Sequence, residues 1–168
     1  MNKCIFLDRD GVLNKDRVNY AYDLDHFIIL DGAIEGLRKL KDAGYFLVVI
    51  TNQSGIAKGV YTREQMNTCH QYLQERCGHI IDHIYYSPYH PITTESLTRK
   101  PDSLMFEKAM AKFETDVANS WMIGDKERDI IPAKKVGLKT IQVGEYDPPS
   151  IADFESENLL TATEIILP

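Results

Sequence analysis

The chain has 168 residues, 43% of them hydrophobic and 26% charged. These are the proportions of a folded rather than a disordered protein, and the length suits one domain over residues 1–168. A net charge of −6 argues against nucleic acid as a partner, although a local pocket can still favour a small anion.

No apolar run is long enough to span a bilayer, and no secretory pattern opens the chain. The three cysteines, Cys4, Cys69 and Cys77, are an odd, sparse set that suits a reducing compartment. The spacing of Cys69, His70, Cys77 and His79 fits no closed zinc pattern. The expectation is a cytoplasmic monomer with neither nucleic-acid nor membrane partners.

Lys3 to Leu7 is a short apolar run that ends in acids and reads as a buried strand. Ala33 to Ala43 places Ile34, Leu37 and Leu40 on one helical face, with Gly44 as the stop. Tyr45 to Ile50 reads as a second buried strand. Thr62, followed by Glu64 and Gln65, caps a helix that runs to about Arg76. Ile80 to Tyr86 is a third strand, and Ser87 to Thr98 is a polar loop. Pro101 opens a helix that runs to about Phe113. Ser120 to Ile123 is a fourth strand, Lys126 to Val136 a helix interrupted by Pro132, and Leu138 to Val143 a fifth strand. After Pro148-Pro149, residues Glu155 to Leu167 add a strand and a short helix.

Strands alternating with helices predict an α/β fold: a three-layer, Rossmann-like parallel sheet with helices on both faces. The insertions are too small for a separate cap domain. Ligands of such sheets sit beyond the carboxyl ends of the strands, so the polar residues after each strand should compose one site.

After strand one, Asp8 and Asp10 share a side of the extended chain, with Arg9 turned away and Gly11 permitting the turn. Two close carboxylates call for a hard, oxygen-liganded cation such as Mg²⁺. After strand two, Thr51, Asn52, Gln53 and Ser54 form a neutral anion cradle. Arg99 and Lys100 can clamp a phosphate after strand three. Asp125 follows strand four as a third metal ligand, with Asp129 one turn on. Each motif alone has an ordinary reading as a turn, a cap or a solvated pair. It is their order, each behind a strand, that points to phosphoryl transfer.

These residues resemble the haloacid dehalogenase superfamily of phosphatases. Four strings carry the resemblance: Asp8-Arg9-Asp10-Gly11-Val12-Leu13-Asn14, Thr51-Asn52-Gln53-Ser54-Gly55-Ile56-Ala57, Arg99-Lys100-Pro101 and Gly124-Asp125-Lys126. Within that superfamily they are most similar to the D-glycero-D-manno-heptose 1,7-bisphosphate 7-phosphatases, with the histidinol-phosphate phosphatases as near relatives. Leu30-Asp31-Gly32 and Tyr85-Tyr86 also look like the heptose branch.

The resemblance implies Asp8 as nucleophile and Asp10 as general acid and base. It implies Mg²⁺ on Asp8, the Asp10 backbone carbonyl and Asp125, with Thr51, the Asn52 backbone and Lys100 on the phosphate oxygens. Asp129 would orient Lys126, Lys100 or a metal-bound water. Asp16, Arg17, Asn19, Tyr20, Gln53, Ser54, Arg99 and Lys126 would contact a small phosphorylated sugar. The alternatives are histidinol phosphate, a 3′-phosphorylated nucleic-acid end, which the acidic charge disfavours, or an idle binding protein on the same fold.

One departure stands out. The branch carries a structural zinc loop whose four ligands are here replaced by Ser87, Tyr89, Ser96 and Thr98. His90 alone cannot build a tetrahedral site, so no structural zinc is expected. Packing of Tyr89 and the prolines, together with hydrogen bonds, is expected to hold the loop instead.

Overall fold

The computed structural model describes residues 1–145 and 149–168, so Pro148 at the start of the tail lies outside the described residues. In chain order the elements are β1 (Cys4–Leu7), α1 (Ala33–Asp42), β2 (Phe46–Asn52), α2 (Arg63–Cys77), β3 (His83–Ser87) and α3 (Leu104–Lys112). They continue with a 3₁₀ turn (Val117–Asn119), β4 (Trp121–Gly124), α4 (Glu127–Lys135), β5 (Lys139–Val143), β6 (Phe154–Ser156) and α5 (Leu159–Ile166). All six strands are parallel, in the order β3-β2-β1-β4-β5-β6.

Alternation along the strands divides the core. Ile5, Leu7, Leu47, Val49, Ile123, Ile141 and Val143 face Leu37 and Leu40 of α1, Leu73 of α2 and Leu159 of α5. Cys4, Phe6, Val48, Ile50 and Met122 face Met105, Phe106 and Ala109 of α3 and Ala133 of α4. The fold is therefore the expected three layers, with both sheet faces covered, as a parallel sheet requires. Each large side chain so buried contributes roughly 1.5–3 kcal/mol.

The boundaries differ from the sequence reading in instructive places. β3 starts at His83 rather than Ile80. The Asp82 carboxylate accepts from Leu47 N–H at 2.7 Å and so takes the place of a ladder partner just before the strand. β2 continues through Thr51 and Asn52, which makes these the last strand residues rather than loop residues. α3 starts at Leu104 and leaves Pro101 outside the helix. The main chain of Lys100 is pinned by Asn52, whose Nδ2 donates to Lys100 O and whose Oδ1 accepts from Lys100 N, both at 3.0 Å. α4 runs through Pro132 without interruption, the missing N–H releasing only one carbonyl a turn earlier. The capping box expected at Thr62 is present, with Gln65 N–H donating to Thr62 Oγ1 and Thr62 N–H to Gln65 Oε1.

β1 lies centrally, and the chain leaves it to opposite sides, towards β2 and towards β4. Leu7 is level with Val49 on one side and Ile123 on the other. Asp8, Thr51 and Asp125 therefore emerge at one edge of the sheet, at its topological switch point. The segments 8–32 and 88–103, which frame that edge, contain neither helix nor strand. No helix of the described residues is long and apolar enough to cross a membrane.

Candidate active site

Asp8, the first residue after β1, is buried at the centre of the site. Its Oδ1 accepts from Arg9 N–H at 2.8 Å and lies 2.9 Å from Lys100 Nζ. Its Oδ2 accepts no hydrogen bond among the described residues. Lys100 is equally buried and also meets Asp129 Oδ1 at 2.6 Å and the carbonyl of Ile50 at 2.6 Å. Ile50 lies on β2, so the strand end itself fixes the ammonium. Asp129 closes the ring, because its Oδ2 also accepts from Lys126 N–H at 3.1 Å and caps α4.

Asp8, Asp125 and Asp129 bring ligand oxygens within 4.8 Å of one another. Two glycines permit this approach. A Cβ on Gly11, whose φ is +89°, would overlap the Asp125 carboxylate, and one on Gly124 would overlap Asp129. Burial, then the Asp129 carboxylate, push the Asp8 carboxyl up to about 7 despite Lys100. The same two causes push Asp125 up to about 6 despite Lys126, which lies 2.9 Å from its Oδ2. The Oδ1 of Asp125 is buried without a hydrogen-bond partner among the described residues. Three converging carboxylates with a lone acceptor and too little positive charge are a donor set that fits a hard divalent cation.

Asp10 belongs to a different set of partners. Its Oδ1 accepts from Arg9 Nη2 at 2.8 Å and Asn14 Nδ2 at 2.9 Å, and its Oδ2 from Gln53 Nε2 at 3.0 Å. Burial alone would raise this carboxyl, but Arg9, Asn14 and Gln53 together outweigh it and hold the group below its ordinary value. Arg9 is therefore not turned away from Asp10 but ion-paired with it. An arginine drawn into the core needs an anion, and its own neighbour is the nearest one.

A cavity of about 250 Å³ opens beside Asp10, lined in part by Asp16, Arg17, Tyr20, Asn52, Ser54, Arg99 and Lys126. Seven of the nine residues assigned from sequence to substrate contact thus share one cavity. Two do not. Asn19 is exposed and absent from the lining. Gln53 is buried beneath the cavity, where its amide donates to Asp10 and to Thr51 Oγ1 at 3.0 Å and accepts from Tyr61 O–H at 2.7 Å.

The cavity also holds Lys58, Tyr61, His90 and Arg128, which the sequence reading missed. Arg128 lies in the first turn of α4, close behind Asp125, but nothing in the sequence marks it as a site residue. Arg17, Lys58, Arg99 and Arg128 form no ion pair among the described residues. Burial and the Arg128 cation push Arg99 below its ordinary value, whereas, against burial, the carboxylates of Asp8, Asp129, Asp125 and Asp16 hold Arg128 above its own. Tyr61 forms an aromatic floor, stacked on Tyr22 at 5.3 Å and edge-on to Tyr20 at 5.6 Å.

The loop that delivers Arg99 and Lys100 is held by hydroxyls. Thr98 Oγ1 lies 3.0 Å from Ser87 Oγ and 2.8 Å from Ser96 Oγ, and Thr98 N–H donates to Ser96 Oγ. Three of the four substituted positions therefore meet. The fourth, Tyr89, does not provide the expected packing: its ring is exposed, and only its carbonyl serves, accepting from Arg99 Nη1 at 3.1 Å.

Residues 97–163 match a family model described as HAD-hydrolase-like. A D-glycero-beta-D-manno-heptose-1,7-bisphosphate 7-phosphatase of Haemophilus influenzae is 40% identical, over 99% of this chain and 97% of the relative. A D-glycero-alpha-D-manno-heptose-1,7-bisphosphate 7-phosphatase of Photorhabdus laumondii is 34% identical, over 98% and 96%. The crystal structure of D,D-heptose 1,7-bisphosphate phosphatase from B. bronchiseptica, complexed with magnesium and phosphate, aligns with a TM-score of 0.88 at 27% identity, over 98% of both chains. On these likenesses the chain belongs to the haloacid dehalogenase-like hydrolases, on the branch of the heptose-bisphosphate phosphatases, and is a phosphatase.

Proposed function

We propose that this phosphatase removes one phosphate from a sugar bisphosphate, with D-glycero-D-manno-heptose 1,7-bisphosphate as the substrate and its 7-phosphate as the scissile group. The observation that carries this reading is the excess of cations beside the nucleophile. The cavity presents Arg17, Lys58, Arg99 and Arg128 in addition to the Lys100 that serves Asp8. A monophosphate needs only the strand-end cradle, so four further cations suit a second anionic group on the same small molecule. The curated relatives named above act on such bisphosphates and extend the reading.

In this mechanism Asp8 Oδ2, the oxygen without a hydrogen bond, attacks phosphorus and gives an aspartyl-phosphate. Thr51 Oγ1, the Asn52 backbone and Lys100 hold the phosphate oxygens as charge moves between them. Asp8, Asp125 and the backbone carbonyl of Asp10 would hold Mg²⁺, whose charge would offset the repulsion between carboxylate and phosphate. Asp10 protonates the departing sugar oxygen, then takes a proton from the water that hydrolyses the aspartyl-phosphate. Its carboxyl, held low by Arg9, Asn14 and Gln53, is raised for the first task by the phosphate dianion arriving beside it. Asp129 keeps Lys100 in place and caps α4, and Arg99 and Lys126 face the sugar.

Turnover of heptose 1,7-bisphosphate, heptose 7-phosphate and histidinol phosphate, measured in parallel with Mg²⁺, tests the proposal. The bisphosphate is expected to have the highest kcat/KM, and Asp8→Asn to abolish all three activities without unfolding. A preference for histidinol phosphate would refute the substrate, and turnover by Asp8→Asn would refute the nucleophile.

A further inference from the structure

The guanidinium that pairs with Asp10 also meets a side chain from a distant element. Arg9 is 1% exposed and carries its charge within the core. Its Nη2 serves Asp10 Oδ1 at 2.8 Å and the carbonyl of Ala21 at 3.2 Å, and its face lies 5.3 Å from the Phe27 ring centre. Its other terminal nitrogen, Nη1, meets His70 Nε2 at 3.3 Å. His70 lies on α2, 61 residues away, buried with its ring edge-on to Tyr86.

The chemistry of this contact is unusual for a histidine. A guanidinium has only donors, so Nε2 must accept and the imidazole must be neutral. Burial, then the Arg9 cation, push His70 down to about 3, which agrees with the neutral ring that the contact requires. It is therefore a permanent acceptor rather than a titrating group. Arg9 Nε is buried and has no hydrogen-bond partner among the described residues. Among the described residues, the guanidinium is thus hydrogen-bonded on one side to Asp10 and Ala21 and on the other to His70, with Phe27 packed on its face.

We propose that His70 is a positioning residue: by accepting from Arg9 Nη1 it sets the plane of the guanidinium, and thereby aims the Asp10 carboxyl at the oxygen leaving the phosphate. This rests on the reading of Asp10 as the proton donor given above. Without the acceptor, the guanidinium can turn towards other carbonyls and carry Asp10 Oδ1 with it. Asn14 and Gln53 would still hold the carboxylate, but in a broader range of directions.

The leaving group supplies the readout. A sugar alkoxide needs a proton as it departs, whereas p-nitrophenolate does not. The value of kcat/KM covers events up to formation of the aspartyl-phosphate. In His70→Leu, kcat/KM for a sugar phosphate is expected to fall about 10- to 100-fold, a part of the range that acid catalysis supplies, while that for p-nitrophenyl phosphate stays within about threefold. His70→Gln places an amide oxygen near Nε2 and is expected to retain the wild-type ratio. His70→Asn is polar but too short to reach Arg9 and is expected to behave like His70→Leu, which keeps the test open if the leucine variant folds poorly.

Parallel losses on both substrates, or a ratio that His70→Gln does not rescue, would overturn the positioning role and leave the phosphatase mechanism standing. A wild-type protein that hydrolyses the aryl phosphate but no sugar phosphate would overturn the functional reading, and this proposal with it.

Discussion

Lys100→Met removes the charge at the centre of the acidic ring while keeping the length and apolar stem of the side chain. The ammonium it deletes lies 2.9 Å from Asp8 Oδ1 and 2.6 Å from Asp129 Oδ1, and all three residues are buried from solvent. Stripping one partner from a buried pair costs about 3–5 kcal/mol. For a chain of this length each kcal/mol moves the midpoint by roughly 2–4 °C, so the metal-free variant should melt about 6–20 °C lower at pH 8.

The loss should shrink as the pH falls. Asp8 already stands at about 7, and removing Lys100 raises it further. A raised carboxyl binds its proton in the folded state while the unfolded chain is still ionised. Its destabilising effect is therefore absent below the unfolded value of 3.8, grows as pH climbs from there to the folded value, and is constant above it. At pH 5 the variant retains a proton on Asp8 and escapes most of the cost. Calorimetry in chelator at pH 5 and pH 8 reads both values, and Mg²⁺ added at pH 8 should recover part of the difference. An equal loss at the two pH values, or none at pH 8, would refute the idea that Lys100 balances the buried acids.

Gly11→Ala forces a Cβ onto a backbone at φ +89° and against the Asp125 carboxylate. The backbone cost alone is about 1–2 kcal/mol, and displacement of Asp125 should weaken Mg²⁺ binding in a calorimetric titration; unchanged affinity would count against Asp125 as a ligand. Arg128→Ala should raise KM for the heptose bisphosphate about 10- to 100-fold, the equivalent of one charge-assisted hydrogen bond, while KM for p-nitrophenyl phosphate moves little. Equal shifts for both substrates would place Arg128 at the scissile phosphate instead of the second one.

The parts of the site that follow strand ends were legible because strand periodicity is strong and a parallel sheet assigns its ligand edge in advance. Asp8, Thr51 and Asp125 fall on that edge. The residues that line the cavity from other elements were not legible. Lys58 and Arg128 carry no local signal, and only the fold brings them into one cavity with Arg17 and Arg99. Gln53 reads as a substrate contact in the anion cradle, yet it lies beneath the site because Tyr61 and Asp10 claim both ends of its amide. His70 sits on a helix face among Cys69, Leu73 and Cys77, where a buried histidine looks like any other core residue. Only a contact 61 residues distant distinguishes it. The start of α3 was misplaced for a similar reason: the reciprocal bonds between Asn52 and Lys100 are long-range and leave no local pattern.

The hydroxyl junction of Ser87, Ser96 and Thr98 bears on how the enzyme tolerates its surroundings. Alcohols are not oxidised by peroxide, and they do not lose their grip to a chelator, whereas thiolates do both. The three cysteines of the chain are all buried, away from dissolved oxidants. The segment that carries Arg99 and Lys100 therefore keeps its shape through redox shocks and through scarcity of transition metals. What this gives up is metal-ligand bonding, far stronger than a few shared hydroxyl protons. Heat, rather than oxidant, is then the stress to which this segment is most exposed.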